Sequence, residues 1–212
     1  MISADMKKPP LIIMAAALKE NGGIGYNNAL PWNIPGDWKY FEETTTKSYG
    51  DVVFDNVRSS TDWNNIVIMG RRTFEAHPML GVPLANRYNI IISGNKDYNV
   101  GVSSNVELTT SLEEAIARAY ALSKDDGYIF ILGGEEIYRQ SLLLPECTHL
   151  LITEIHSSTR ILCDRFIPEI DPKVFRLAQH EELKTFLKDK NIPFGRQKYQ
   201  HFEYEFVLYI RK

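Results

Sequence analysis

The sequence predicts an α/β fold in one domain: a central mixed, mostly parallel sheet flanked by helices, with an antiparallel C-terminal strand. Three observations carry this. Short apolar runs of the kind buried on both faces of a sheet recur along the chain. Glycine turns and stretches of helical spacing stand between them. The end of the chain, Phe202 to Ile210, instead alternates Phe202, Tyr204, Phe206, Leu208 and Ile210 with polar neighbours, the period of an antiparallel strand. With 212 residues and 44% hydrophobic content, the chain reads as one generous domain, 1–212, whose core needs neither metal nor disulfides.

Leu11 to Leu18 is the first buried strand, and Asn21 to Gly25, with three glycines in five residues, is the loop that leaves it. Asp37 to Thr46 follows Pro35-Gly36 and places Trp38, Phe41 and Thr45 at helical spacing, so a short helix is expected. Lys47 to Asn64 has no period and is rich in Ser, Asp, Asn and Gly; it reads as a surface loop inserted before the next strand. Ile66 to Met69 and Tyr88 to Ile92 are central strands, ended by Gly70 and by Ser93-Gly94. Thr110 and Glu113 form a capping box ahead of a helix that repeats Leu112, Ala115, Ile116, Ala119 and Leu122. Tyr128 to Leu132 is a strand stopped by Gly133-Gly134, Glu135 to Leu144 a helix closed by Pro145, and Leu150 to Ile155 a further strand.

Composition excludes several classes. Twenty-four Lys+Arg against 27 Asp+Glu leave a net charge of −3, without the basic footprint that nucleic acid requires. Cys147 and Cys163 have no companion ligands at zinc spacing, so no metal site is expected. His77, His149, His156, His180 and His201 are scattered, and no G-x-S-x-G anchors a serine nucleophile. Lys7, Lys8 and the small residues Ala15 to Ala17 give Leu11 to Leu18 a faint likeness to a signal peptide, but eight apolar residues suit a buried strand better and are too few to span a bilayer. A cytoplasmic protein with reduced thiols and no membrane partner is expected.

Two strands end in glycine before a helix, where free N–H groups favour anions. In Met69-Gly70-Arg71-Arg72-Thr73, two guanidinium forks and a hydroxyl suit a phosphate-rich ligand, or else form a solvated surface pair. In Leu132-Gly133-Gly134 the missing side chains either admit a ligand to the backbone or serve only a tight turn. Neither is a standard nucleotide fingerprint: Gly23-Ile24-Gly25 lacks its third glycine, Asn28 standing there, and no P-loop occurs. Asp37 sits among Trp32, Ile34, Trp38, Tyr40 and Phe41. It is either a desolvated acid with a raised pKa, able to bind a protonatable heterocycle, or a first-turn aspartate held by the helix dipole.

In order, these segments resemble the dihydrofolate reductases from about Leu11 to Lys212. The most specific piece is Gly23-Ile24-Gly25 leading to Leu30-Pro31-Trp32, then Asp37 and Phe41. Met69 to Thr73, Ile90 to Ser93, Gly133-Gly134 with Tyr138, Leu151 to Glu154, and Phe166 to Glu169 reinforce it. The resemblance implies NADPH-dependent reduction of 7,8-dihydrofolate to 5,6,7,8-tetrahydrofolate by a monomer that also takes antifolate-type molecules. It makes Asp37 the pocket acid that holds the pterin and helps deliver a proton, with Thr153 in the same hydrogen-bond network. Met14, Ala15, Ala16, Trp38, Phe41, Leu84, Leu132 and Tyr138 would line the substrate pocket, and Arg87 would pair with the substrate's glutamate carboxylate. Ala16, Gly23, Ile24, Gly25, Asn28 and Leu30 would border the nicotinamide and ribose, the Gly23 to Ala29 segment acting as a mobile lid. Gly70, Arg71, Arg72, Thr73, Ser93 and Gly94 would hold the adenosine side, and Gly133, Gly134, Glu135, Ile137 and Tyr138 the pyrophosphate side. The chain departs from the family at Phe74, where a Trp is usual, and at His77, commonly an Ile in the substrate cleft; it departs also at Gly94 and Thr110, where the family often has a basic or hydroxyl group near the 2′-phosphate, which leaves Arg71, Arg72 and Ser93 to recognise that group. A related pteridine or pyrimidine reductase would use the same cleft; a catalytically silent nucleotide-binding module would have no need of Asp37 and Thr153.

Overall fold

In this computed structural model, residues 8–50, 63–124 and 126–212 are described. The first half contains β1 (Leu11–Leu18), β2 (Gly23–Gly25), α1 (Pro35–Thr46), β3 (Ile66–Gly70), α2 (Arg71–Glu75), β4 (Tyr88–Ile92) and β5 (Val106–Thr109). There follow α3 (Leu112–Leu122), β6 (Ile129–Ile131), α4 (Glu135–Leu142) and β7 (Cys147–Ser157). The chain closes with β8 (Arg165–Phe166), β9 (Phe175–Leu177), α5 (His180–Phe186), β10 (Gln197–Tyr199) and β11 (Phe202–Arg211).

Nine strands form one sheet in the order β10-β11-β7-β1-β6-β3-β4-β5, with β9 on the outside of β11. The strands from β7 through β5 run parallel, and β11 pairs antiparallel with β7. The uniformly apolar sequence of β1 follows from its central place. Ile12, Met14 and Leu18 pack towards α1 and α5 with Trp32, Tyr40 and Leu183, whereas Leu11, Ile13, Ala15 and Ala17 pack towards α3 and α4 with Ala115, Ala119 and Ile137. Both faces of the strand are buried, so neither can be polar. The parallel strands all end on one edge, which gathers Gly70, Ser93 and Gly133 there and opens a crevice.

The structure adjusts several expectations. The loop expected over Asn21 to Gly25 ends in β2, which pairs antiparallel with β8. A Cβ on Gly23 would lie 2.5 Å from the Cys163 sulfur, so glycine is what permits that approach. Helix α1 begins at Pro35, whose fixed φ suits the first helical position. The N-cap of α3 is Ser111, one residue later than expected, and the box is not reciprocal: Ser111 Oγ accepts from the Glu114 N–H at 3.1 Å, while the Glu114 carboxylate accepts from the N–H of Thr110, ahead of the cap, at 2.7 Å. Docking of Leu112, Ala115 and Ala119 on the sheet selects that register. Helix α4 stops at Leu142, and Leu143 and Leu144 make three-residue turns because the position before Pro145 disfavours helix. Of the loop expected over Lys47 to Asn64, 51–62 lie outside the described residues, as does Lys7. Its flanks are fastened: Asn65 Nδ2 donates to the carbonyls of Thr45 and Lys47, and Ser48 Oγ to Asp126.

Candidate active site

A cavity of about 940 Å³ lies along the edge where β1, β3, β4 and β6 end. Its deep wall is made by Met14, Ala15 and Ala16 of β1, Leu132 after β6, Thr153 of β7 and three residues of α1: Asp37, Trp38 and Phe41. The spacing that suggests α1 therefore mixes two faces. Trp38 and Phe41, ring centroids 5.6 Å apart, line the cavity, while Thr44, Thr45 and Tyr40, stacked at 3.9 Å on Phe206, face the protein interior. A Cβ on Gly36 would overlap the Tyr204 hydroxyl, so glycine lets the first turn of α1 settle on β11 and carries Asp37 inward.

Asp37 is positioned by two elements. Its own N–H donates to the Ile34 carbonyl at 3.0 Å as α1 starts, and β7 presents Thr153 opposite Ala16 of β1. Burial lifts the Asp37 carboxyl from the ordinary 3.8 to about 6, and a hydrogen bond from the Thr153 hydroxyl lowers it in part. A first-turn aspartate would otherwise be held low by the helix dipole, worth about 0.3–1 kcal/mol. Desolvation outweighs the dipole here, and the result is an acid poised for proton transfer near neutrality. Among the described residues it is the one carboxylate on this wall, which is apolar apart from Thr153.

The opposite end is polar. The two strand-to-helix turns are joined directly, the Gly70 N–H donating to the Gly133 carbonyl at 2.7 Å. Gly133 (φ +94°) and Gly134 leave space that side chains would fill: a Cβ would meet the Tyr138 ring at 2.7 Å and Thr73 Oγ1 at 3.1 Å respectively. Tyr138 is fixed by donating its hydroxyl to the Met14 carbonyl at 2.8 Å, which ties this turn to β1. Arg71 is bound to Glu75 at 3.0 Å and stacks on Tyr98, whereas Arg72 lines the cavity without a partner among the described residues. Ser93 is buried and accepts the Asn95 N–H at 3.1 Å.

Ile24, Gly25, Asn28, Leu30, Gly94, Glu135 and Ile137 also line the cavity. Gly23 and Gly133 stand behind it, their glycines serving packing rather than lining. Leu84 and Arg87 differ from expectation: neither lines it. Arg87 is 2% exposed and already committed, Nε to the Ala85 carbonyl at 2.9 Å, Nη1 to Thr45 Oγ1 at 2.8 Å and Nη2 to the Glu42 carboxylate at 3.0 Å. A buried guanidinium needs a counter-charge, and Glu42 supplies it. Sequence reasoning also missed Tyr26, Asn95, Arg139 and Arg165 in the lining. Arg139 could have been found by its four-residue offset from Glu135 on α4; Arg165 could not, because it arrives through a pairing with Gly25 far away in sequence.

The lid expected over Gly23 to Ala29 is stitched at both strands. The Asp164 N–H donates to the Gly25 carbonyl at 2.9 Å, and the Asp164 carboxylate accepts the Asn27 N–H at 3.2 Å. Asp164→Ala is expected to speed amide exchange at Asn27 about fivefold, the loss of one modest hydrogen bond, with little change at Ile12 or Ile131. Hydrogen exchange followed by NMR checks this.

A family model described as dihydrofolate reductase matches residues 11–201. The chain belongs to the dihydrofolate reductase family. Among curated dihydrofolate reductase relatives, a protein of that name from Candida albicans is 32% identical over 98% of this chain and 100% of its own length. A bifunctional dihydrofolate reductase-thymidylate synthase from Glycine max is 31% identical over 93% of this chain and 33% of its own. The chain thus spans about a third of the bifunctional relatives it matches. A solved dihydrofolate reductase from Enterococcus faecalis, complexed with NADP(H) and RAB-propyl, superposes with a TM-score of 0.67 at 27% identity, covering 95% of this chain and 96% of that one. The matched range, residues 11–201, includes both the acid on α1 and the glycine turns at the ends of β3 and β6.

Proposed function

We propose that this chain reduces 7,8-dihydrofolate to 5,6,7,8-tetrahydrofolate with NADPH. The observation that carries the reading is Asp37, one acid raised to about 6 on an apolar wall, in the same cavity as a glycine cradle and the uncommitted guanidinium of Arg72. The residues present fit the cofactor. Gly134 and Thr73 leave room for a pyrophosphate to approach the backbone, and Arg72 and Ser93 stand at the end suited to a phosphorylated adenosine. NADPH, when bound, supplies the hydride.

The chain's own residues handle the rest. Asp37 holds the amino group and ring nitrogen of the pterin and, directly or through water, helps deliver the proton that accompanies reduction; Thr153 orients its carboxyl. Trp38, Phe41 and Leu132 exclude water from the ring, which favours the protonated acid. Antifolate-type heterocycles would meet the same acid. Action as a monomer is part of this reading. Free Cys147 and Cys163 suit a reducing compartment and support a cytoplasmic location.

Arg87 enters this reading as the clamp for the substrate's glutamate carboxylate, provided Glu42, whose side chain is half exposed, turns aside to admit it. Arg87→Lys is expected to raise KM for dihydrofolate about tenfold and to leave KM for a pterin without the glutamate tail unchanged, since an ammonium cannot reproduce the fork. Steady-state kinetics with both substrates check it. The activity itself is tested by NADPH absorbance with and without dihydrofolate, with NADH in parallel: dihydrofolate-dependent loss, faster with NADPH, is expected.

A further inference from the structure

The cavity's charges leave two cations uncommitted. Arg71 is neutralised by Glu75 and Arg139 by Glu136, but Arg72 and Arg165 have no carboxylate partner among the described residues. Arg165 is exposed, and its one hydrogen bond is to the backbone, Nη1 donating to the Asp164 carbonyl at 2.6 Å. No ion pair therefore has to break before it binds an anion.

Its place in the fold says which part of a ligand it would reach. Arg165 is held beside Gly25 by the β2–β8 pairing, and β2 leaves the end of β1. Arg72 follows β3. Strand β6 lies between β1 and β3, about 4.8 Å from each, so the Gly133–Gly134 turn leaves the sheet between the strand that leads to β2 and Arg165 and the strand that leads to Arg72, and all three line one cavity through Gly134 and the two arginines. Glu135 stands directly after that turn and also lines the cavity, adding a negative charge where a phosphate would lie. An anionic group crossing the turn needs a cation on each flank to offset it. The sequence pattern supplies only the Arg72 flank.

We infer that Arg165 is a second cofactor-binding cation, which contacts the diphosphate of the dinucleotide from the lid side and balances Glu135. This rests on the NADPH reading above. Because Asp164, the residue before it, fastens Asn27, the same contact draws β8 and the lid segment onto the bound dinucleotide. Equilibrium titration of NADPH by quenching of tryptophan fluorescence, at low and high salt, tests it. Arg165→Ala is expected to raise the NADPH Kd about three- to tenfold at low salt, Arg165→Lys less, and the salt dependence of binding to become shallower. Binding of adenosine 2′-phosphate, which has no diphosphate, is expected to stay within about twofold. An Arg165→Ala protein with the wild-type melting curve and an unchanged NADPH Kd would overturn the inference, as would an equal loss for adenosine 2′-phosphate. Wild-type protein that does not bind NADPH would overturn this inference and the cofactor reading together.

Discussion

Asp37→Asn is expected to lower dihydrofolate turnover at pH 7 by about 100-fold or more, the usual share of a positioned proton donor, while the NADPH Kd stays within about twofold. The substitution keeps size and shape but removes the ionisable proton and the negative charge, and it turns one acceptor oxygen into an NH2 donor. The same variant is expected to be more stable than the wild type in alkaline solution, and the sign follows from linkage. An acid raised from 3.8 to about 6 by burial is protonated in both folded and unfolded chains below 3.8, so it costs nothing there. As pH rises through 6 the folded chain must ionise a desolvated group, and up to about 3 kcal/mol of stability is lost. Asparagine has no such cost. Thermal melts of the two proteins should therefore diverge between pH 4 and pH 8 with the variant higher, while activity moves the opposite way. A variant destabilised at pH 8 would mean that Asp37 is a structural anion rather than a desolvated acid.

Gly133→Ala is expected to have the other large effect. Its φ of +94° is strained for any side chain, and the new Cβ would lie 2.7 Å from the Tyr138 ring. Tyr138 cannot give way, because it is buried and its hydroxyl is held by the Met14 carbonyl at 2.8 Å. A loss of about 2–4 kcal/mol is expected, together with at least a tenfold weaker NADPH titration, since any relief moves the turn that would carry the pyrophosphate. Gly94→Ala is the matched control: Gly94 lines the same cavity, but a Cβ there meets nothing within 4 Å. Its melting curve should be that of the wild type.

What the sequence makes legible follows from burial. The central strands are readable because both their faces are covered, which makes Leu11–Leu18 and Ile66–Met69 continuously apolar, and β11 is readable because only one face is. The two-residue β8, and β9 with two of three residues exposed, carry no period to detect. Helix α5 buries only Leu183 and was equally silent. The helix cap falls one residue later than its spacing suggests because Thr110 and Ser111 each precede a glutamate by three, and only packing on the sheet separates them. In the site, Asp37, Thr153 and the glycine turns lie in contiguous motifs that the sequence displays, and the fold brings Asp37, Thr153, Gly70 and Gly134 to one cavity. The commitment of Arg87 to Glu42 and Thr45, and the arrival of Arg165 beside Gly25, depend on contacts across the fold, which no local pattern carries.

The central claim is that Asp37 is the acid that serves the reaction, and the pH dependence of NADPH oxidation with saturating dihydrofolate, from pH 4.5 to 9, tests it most directly. The account predicts a rate that is high while Asp37 is protonated and falls as pH rises through an apparent value near 6. It predicts that Asp37→Asn removes this transition. A wild-type rate that is flat across the range, or an Asp37→Asn protein that keeps the same transition, would contradict it.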